Sequence, residues 1–252
     1  MKVAILHFTA TKRIDNLCFC LSQTTGFTLK YCPIYIFRQP ETMKNIVILI
    51  SGRGSNMQAI VNANIPNAHI AAVISNVPDA AGLKWAEERH IQTAVLNHKE
   101  FQNRAEFDMS LAMLIDGYKP DLVVLAGFMR ILSPAFCRHF QGRLLNIHPS
   151  LLPSFKGLHT HEEAIKAGCK LAGCTVHFVT EELDSGAIVA QAAVPVLAND
   201  TADTLAARVL KCEHKIYPQA VADFVSGSLK LENGTVVNIS HTDENAFILG
   251  QG

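Results

Sequence analysis

From residue 45 onward the chain alternates short apolar runs with stretches of helical period. NIVILI (45–50), IAAVIS (70–75), TAVL (93–96), DLVVLAGF (121–128) and RLLNI (143–147) are continuous in hydrophobicity rather than alternating. That is the pattern of parallel strands buried on both faces. Between them, Met57, Ile60 and Val61 recur at helical spacing, as do Phe107, Leu111 and Leu114. Asp79 and Ser133 are predicted helix N-caps, the latter followed by Pro134 at the first helical position. Strand–helix repetition of this kind predicts an α/β fold with a doubly wound, mostly parallel sheet and right-handed crossovers. The C-terminal half is less regular. CTVHFV (174–179) and AIVAQAAV (187–194) read as two strands around the acidic turn TEELDSG, and a helix follows from about Thr201 to Val225.

The two ends fall outside this pattern. Residues 1–42 show no clear period, and Lys12, Arg13 and Asp15 interrupt any signal-peptide core. MKNIVILISGRGSN then reads as the natural beginning of an α/β enzyme, so Met43 is the expected functional start and residues 1–42 an extension outside the fold. The expected organisation is a single domain over 43–230, with halves at 43–142 and 143–230, and a polar tail over 231–252 that forms a short hairpin or frays.

Composition narrows the function classes. The 252 residues are 49% hydrophobic and 17% charged, the balance of a globular protein. Lys+Arg and Asp+Glu both total 22, so no global field favours nucleic acid or a membrane surface. No apolar run approaches the roughly 20 residues of a membrane-spanning helix. The seven cysteines are scattered without a CxxC pair, which indicates reduced thiols in a cytoplasmic protein rather than a zinc ribbon or a disulfide framework.

Two stretches carry candidate chemistry. In SGRGSN (51–56), Gly52 and Gly54 permit tight turns, while Ser55 and Asn56 offer short donors at a helix N-terminus, where exposed N–H groups and the macrodipole favour an anion. Met57 stands where a dinucleotide fingerprint needs its third glycine, and no Gly-Lys-Ser/Thr follows. The second strand ends in Ser75-Asn76, without the acid that would hold an adenosine ribose. One phosphate monoester is the expected ligand, and a plain tight turn is the alternative. In RLLNIHPSLLP (143–153), Asn146 and His148 stand two residues apart at a strand end and so point to one side. An amide that never titrates and an adjacent imidazole suit acyl transfer, in which a tetrahedral carbon develops an oxyanion. A carboxylate should support the imidazole, and Glu181, Glu182 and Asp184 are the candidates, Asp184 favoured by the Ser-Gly that follows it. His148, His159, His161, His177 and Asp184 could instead form a metal site, but neither HExxH nor an acidic cluster accompanies them, and no metal is expected. Ser150 lacks the GxSxG elbow of a nucleophile. In LAGFMRIL (125–132), Gly127 allows close approach, and Met129, Ile131 and Leu132 surround Arg130. Such a slot suits a flat heterocycle with a carboxylate tail, unless Arg130 is an ordinary surface residue.

Taken together, SGRGSN, LAGFMRILSP, RLLNIHPSLLP, GLHTH, TVHFVTEELDSG and EHKIYP resemble, in order and across residues 43–230, the phosphoribosylglycinamide formyltransferases. The resemblance implies a Rossmann-like formyltransferase fold and 10-formyltetrahydrofolate as co-substrate, without a metal. It implies transfer of the formyl group to the amine of glycinamide ribonucleotide by direct attack. Asn146, His148 and Asp184 match the catalytic positions, the first two stabilising the oxyanion and the third supporting His148. Gly54, Ser55, Asn56 and Glu213 match contacts to the ribonucleotide. Arg104, Met129, Arg130, Ile131, Leu132 and Asn146 match contacts to formylfolate. The implied partners are small molecules, with neither nucleic acid nor membrane, in a monomer or weak homodimer. Arg53 departs from the small or polar residue that family often carries there. Formyltetrahydrofolate deformylase shares the Asn, His and Asp but has no use for SGRGSN, and methionyl-tRNA formyltransferase would need a basic tRNA-binding domain.

Overall fold

In the computed structural model, which describes residues 43–232, 234–238 and 247–249, every apolar run forms the strand it predicts. The extension expected over 1–42 lies outside the described residues. β1 (Lys44–Ile50), β2 (Ala68–Ser75), β3 (Thr93–Val95), β4 (Leu122–Leu125) and β5 (Leu144–His148) run parallel. β6 (Leu171–Phe178) returns antiparallel between β5 and β7 (Ile188–Pro195). After the hairpin of β8 (Leu229–Glu232) and β9 (Thr235–Asn238), β10 (Phe247–Leu249) pairs parallel with β7. The sheet therefore has eight strands in the order β10-β7-β6-β5-β4-β1-β2-β3. The hairpin expected in the tail starts before residue 230, so it straddles that boundary.

Among the described residues six α-helices flank the sheet: α1 (Ser55–Asn62), α2 (Ala81–Glu87), α3 (Arg104–Gly117), α4 (Pro134–His139), α5 (Thr160–Lys166) and α6 (Ala202–Val225). The two-residue period of each strand separates two cores. Ile46, Ile48 and Ile50 of β1 join Met57 and Ile60 of α1 and Val209, Ile216 and Val221 of α6. Val47 and Leu49 face the other way, onto Phe107, Leu111 and Ile115 of α3 and Phe136 and Phe140 of α4. Each such side chain contributes about 1.5–3 kcal/mol by leaving water, which is why the central strands read as unbroken apolar runs.

The helix starts follow local chemistry. The Ser133 hydroxyl accepts the N–H of Phe136 at 3.4 Å ahead of Pro134, as expected. Thr201 caps α6 in a capping box with Thr204. Asp79 does not cap α2. It lies inside a turn closed by the N–H of Ala80 on the carbonyl of Val77 (3.3 Å), and Ala80 takes the cap position without a side-chain bond.

Strand order reverses between β1 and β4, because the chain runs outward through β2 and β3 and then returns to the far side of β1. Loops leaving the C-terminal ends of β1 and β4 diverge there and open a crevice, the usual ligand position in such sheets. Tyr217 of α6 fixes the neighbouring pair of strands. Its fully buried hydroxyl shares its one proton between the carbonyls of Leu125 (2.9 Å) and Leu145 (3.1 Å), the former ending β4 and the latter preceding Asn146. Burial holds this phenol well above the ordinary tyrosine value, so it remains a donor. Replacing Tyr217 by Phe removes the proton the two carbonyls share while leaving packing nearly unchanged. The expected loss is about 1–3 kcal/mol, read as a lower urea midpoint with unchanged slope.

Candidate active site

The β1–α1 loop is braced before any ligand is considered. Gly54 adopts the left-handed conformation (φ 67°) and gives α1 its N-cap, and the first intrahelical bond is that of Gln58 N–H to Gly54 O at 2.9 Å. The N–H groups ahead of Gln58 therefore lack an intrahelical carbonyl. Gly82 of α2 donates to Gly52 O at 3.0 Å, an approach only glycine allows, since a Cβ would come within 2.6 Å of Ile50 Cδ1. The short donors expected of this loop are only partly free. The Asn56 amide nitrogen donates to Glu213 Oε2 of α6 at 2.7 Å, and its carbonyl oxygen is buried without a partner. Of the donors expected of this loop, the Asn56 amide is thus committed to Glu213.

Across the crevice, β5 ends in Asn146 and His148. In the antiparallel register Asn146 faces His177, and His148 faces Thr175. His177 Nδ1–H donates to Phe178 O at 3.0 Å, which leaves Nε2 to accept from the Asn146 amide at 3.2 Å. The loop after His148 is fixed by Thr175, whose hydroxyl donates to Ser150 O (2.7 Å) and accepts the N–H of Leu152 (3.0 Å). Ser150 spends its own hydroxyl on Ser154 O at 2.6 Å, a structural role.

Asp184 is the carboxylate that arrives, as expected; Glu181 and Glu182 are exposed on the same turn. Its Oδ2 lies 3.5 Å from His148 Nδ1, its Oδ1 lies 3.8 Å from His177 Nε2, and Oδ2 also accepts the N–H of Gly157 at 2.9 Å. The reason differs from the one the sequence offers. Asp184 itself takes the left-handed conformation (φ 48°), and Gly186 serves close approach instead, because a Cβ there would sit 1.7 Å from Phe178 O. His148 Nε2–H donates to Phe155 O at 2.9 Å, so both ring nitrogens face protein acceptors.

These groups line one cleft of about 910 Å³ together with Asn56, Glu213, Arg104 and the whole of 127–132. In that last stretch Phe128 and Leu132 turn into the core, while Met129 (66%) and Ile131 (61%) are exposed in the cleft. Arg130 is not an ordinary surface residue: its guanidinium lies 5.7 Å from the centre of the Phe107 ring, with Nε buried and unpartnered. Gly54 and Ser55 are not on the cleft wall, although Asn56 beside them is. His177, Leu158 and Leu183 also line the cleft; the sequence offers His177 only as a possible metal ligand and carries no signal for the two leucines. Among the described residues no three His, Cys, Asp or Glu side chains gather as metal ligands would. Burial pushes the thiols of Cys137, Cys174 and Cys212 up, away from thiolate chemistry.

Residues 44–221 match the protein family described as formyl transferase. The phosphoribosylglycinamide formyltransferase of Escherichia coli is 53% identical over 190 residues, covering 74% of this chain and 90% of that protein. The trifunctional purine biosynthetic protein adenosine-3 of Bos taurus is 50% identical over 202 residues, and the chain spans only 20% of its length. Among solved structures, the phosphoribosylglycinamide formyltransferase of Coxiella burnetii in complex with CHES superposes with a TM-score of 0.76 at 44% identity, over 82% of this chain and 99% of that one. Glycinamide ribonucleotide transformylase 1 of Symbiobacterium toebii gives a TM-score of 0.77 at 43% identity, over 80% and 96% of the two chains.

Burial around the cleft has a consequence for stability. Desolvation lowers the pKa of His161, His177 and His214 and raises that of Glu213. A histidine depressed in the folded state binds fewer protons than its unfolded counterpart, so the stability it contributes is lost as pH falls through about 6.5. Glu213 acts oppositely: its contribution is present at low pH and is lost as pH rises through its raised folded value. Glu213→Gln removes that opposing contribution, and its urea midpoint should fall as pH drops from 7.5 to 5.5 through the ordinary histidine range. A flat profile in that variant would contradict the assignment.

Proposed function

The chain belongs to the formyl transferase family as a phosphoribosylglycinamide formyltransferase of purine biosynthesis, and on that premise we propose how its cleft works. The formyl donor is 10-formyltetrahydrofolate and the acceptor is the amine of glycinamide ribonucleotide. The observation that carries the reading is the seating of Asn146 and His148 side by side at the end of β5, with Asp184 3.5 Å from the imidazole.

The amine nitrogen attacks the formyl carbon, and a new C–N bond forms as the carbonyl oxygen becomes an oxyanion. The Asn146 amide has two N–H groups; one is held by His177, and the other is available to that oxygen. The His148 imidazolium supplies the second donor. Its Nε2–H exchanges the neutral carbonyl of Phe155 for the oxyanion, a stronger, charge-assisted acceptor. Asp184 holds the positive charge of the ring. As the tetrahedral carbon collapses, the bond to the folate nitrogen breaks, and the proton shed by the amine ends on that nitrogen through an ordered water, giving tetrahydrofolate and formylglycinamide ribonucleotide.

The ribonucleotide phosphate rests on the N–H groups of Gly54, Ser55 and Asn56, with Glu213 reaching the same ligand. The pterin enters between Met129, Ile131 and Leu132, beside Asn146, and Arg104 and Arg130 bring positive charge toward the carboxylate tail. Both halves serve both ligands: 43–142 supplies the phosphate loop and the slot of 129–132, and 143–230 supplies Asn146, His148, Asp184 and Glu213. The enzyme acts in the cytoplasm as a monomer or weak homodimer.

The test is turnover of formylfolate with and without the ribonucleotide. Formyl transfer that requires the ribonucleotide supports the reading; equal turnover without it makes water the acceptor and the protein a deformylase. Losing one oxyanion donor costs on the order of 10²–10³ in kcat, so Asn146→Ala and His148→Ala should each fall by about that factor with unfolding midpoints near wild type. Near-normal turnover in either variant would refute its role.

A further inference from the structure

Ser51 lies outside the cleft wall, yet it touches both of the loops that build it. It follows the last residue of β1 and opens SGRGSN. Its backbone N–H donates to Gly127 O at 3.1 Å. Its hydroxyl accepts the N–H of Met129 at 2.8 Å and donates to Asn76 Oδ1 at 2.6 Å. A hydroxyl has one proton, and here Asn76 takes it. The Met129 N–H can only donate, so it takes a lone pair of this oxygen. Asn76 is buried at the end of β2, with its amide nitrogen 3.1 Å from His98 Nδ1, so the acceptor is itself held. One half-buried side chain thus bridges the ends of three parallel strands across the point where strand order reverses.

The two loops it joins serve different ligands. On one side, residues 52–54 are braced by Gly82 N–H on Gly52 O and by the Gln58 amide on Arg53 O at 3.1 Å. On the other, Gly127 turns left-handed (φ 76°), and the backbone from Gly127 to Met129 is held to β1 at its start and end by Ser51. Met129 then stands exposed in the cleft.

We propose that Ser51 is a positioning residue that locks the ribonucleotide loop and the folate slot into one unit, so that a ligand on the first loop pre-orders the seat for the second. This rests on the functional reading above. Fixing a loop before its ligand arrives removes part of the ordering cost of binding, and a coupling of that origin is reciprocal between the two ligands.

The experiment measures tetrahydrofolate binding by titration calorimetry with and without saturating glycinamide ribonucleotide, in wild type, Ser51→Ala and Ser51→Thr. In the wild type the ribonucleotide should tighten tetrahydrofolate binding by about fivefold or more, the lower end of ordinary coupling between sites. In Ser51→Ala that factor should drop below about twofold, and Ser51→Thr, which keeps the hydroxyl, should restore it. In steady state Ser51→Ala should raise the KM for formylfolate with kcat changed by less than about twofold, the pattern of lost binding rather than lost chemistry. Should the alanine variant fail to fold, Ser51→Cys keeps the volume and offers only a weak acceptor. Coupling that persists in Ser51→Ala, or is absent from the wild type, overturns the inference and leaves the functional reading intact. A wild-type protein that binds no tetrahydrofolate at all overturns that reading and the inference with it.

Discussion

Asp184 reaches the cleft from a loop that only a left-handed residue could bend so sharply, and its two oxygens touch three separate segments. One oxygen holds the N–H of Gly157 and lies 3.5 Å from His148; the other lies 3.8 Å from His177. Gly157 follows the Phe155 carbonyl on which His148 rests, so the same carboxylate sets both the electrostatics and the backbone around the imidazole. A non-glycine residue at positive φ costs about 1–3 kcal/mol. That strain is tolerated because burial of the carboxylate among its donors over-determines the loop.

Around this point the antiparallel return of β6 does the remaining work. Because β6 runs backward, His177 lands opposite Asn146 and Thr175 opposite His148, while β6 itself ends beside Leu145 at the start of β5, and the acidic turn folds back to bring Asp184 to His148. His177 is kept neutral by burial, despite the pull of Phe178 O and Asp184 in the other direction. A neutral ring with Nδ1–H committed to a carbonyl can only accept at Nε2, and this decides which end of the Asn146 amide points at the histidine.

Opposite signs of perturbation meet in this cleft. Glu213 is pushed up by desolvation, with Asn56 and His148 acting against the shift. The buried oxygen of Asn56 and the buried Nε of Arg130 have no protein partner, whereas buried polar atoms are ordinarily paired. Both residues line the cleft, where a polar ligand would complete their bonding.

The sequence by itself determined the parallel strands, the helices between them, the anion-prone turn at Gly54 and the polar pair of Asn146 and His148. All of these depend on periodicities of two and 3.6 residues or on neighbours within a few positions. It also placed the carboxylate in 181–184 but could not separate Asp184 from its neighbours on spacing, because that choice depends on which residue faces a strand seven positions before it in the fold's return. Asp79 fails as a cap for a local reason: the turn from Val77 to Ala80 encloses it and leaves the cap position to Ala80. Only the tertiary structure decided that His177 belongs beside Asn146, that Asn56 commits its amide to Glu213 from a helix far along the chain, that Arg130 stacks over Phe107, and that one hydroxyl at Ser51 joins two loops. Each of these is set by strand register or by packing between elements distant in sequence, and no local pattern encodes which distant residues a strand end will meet.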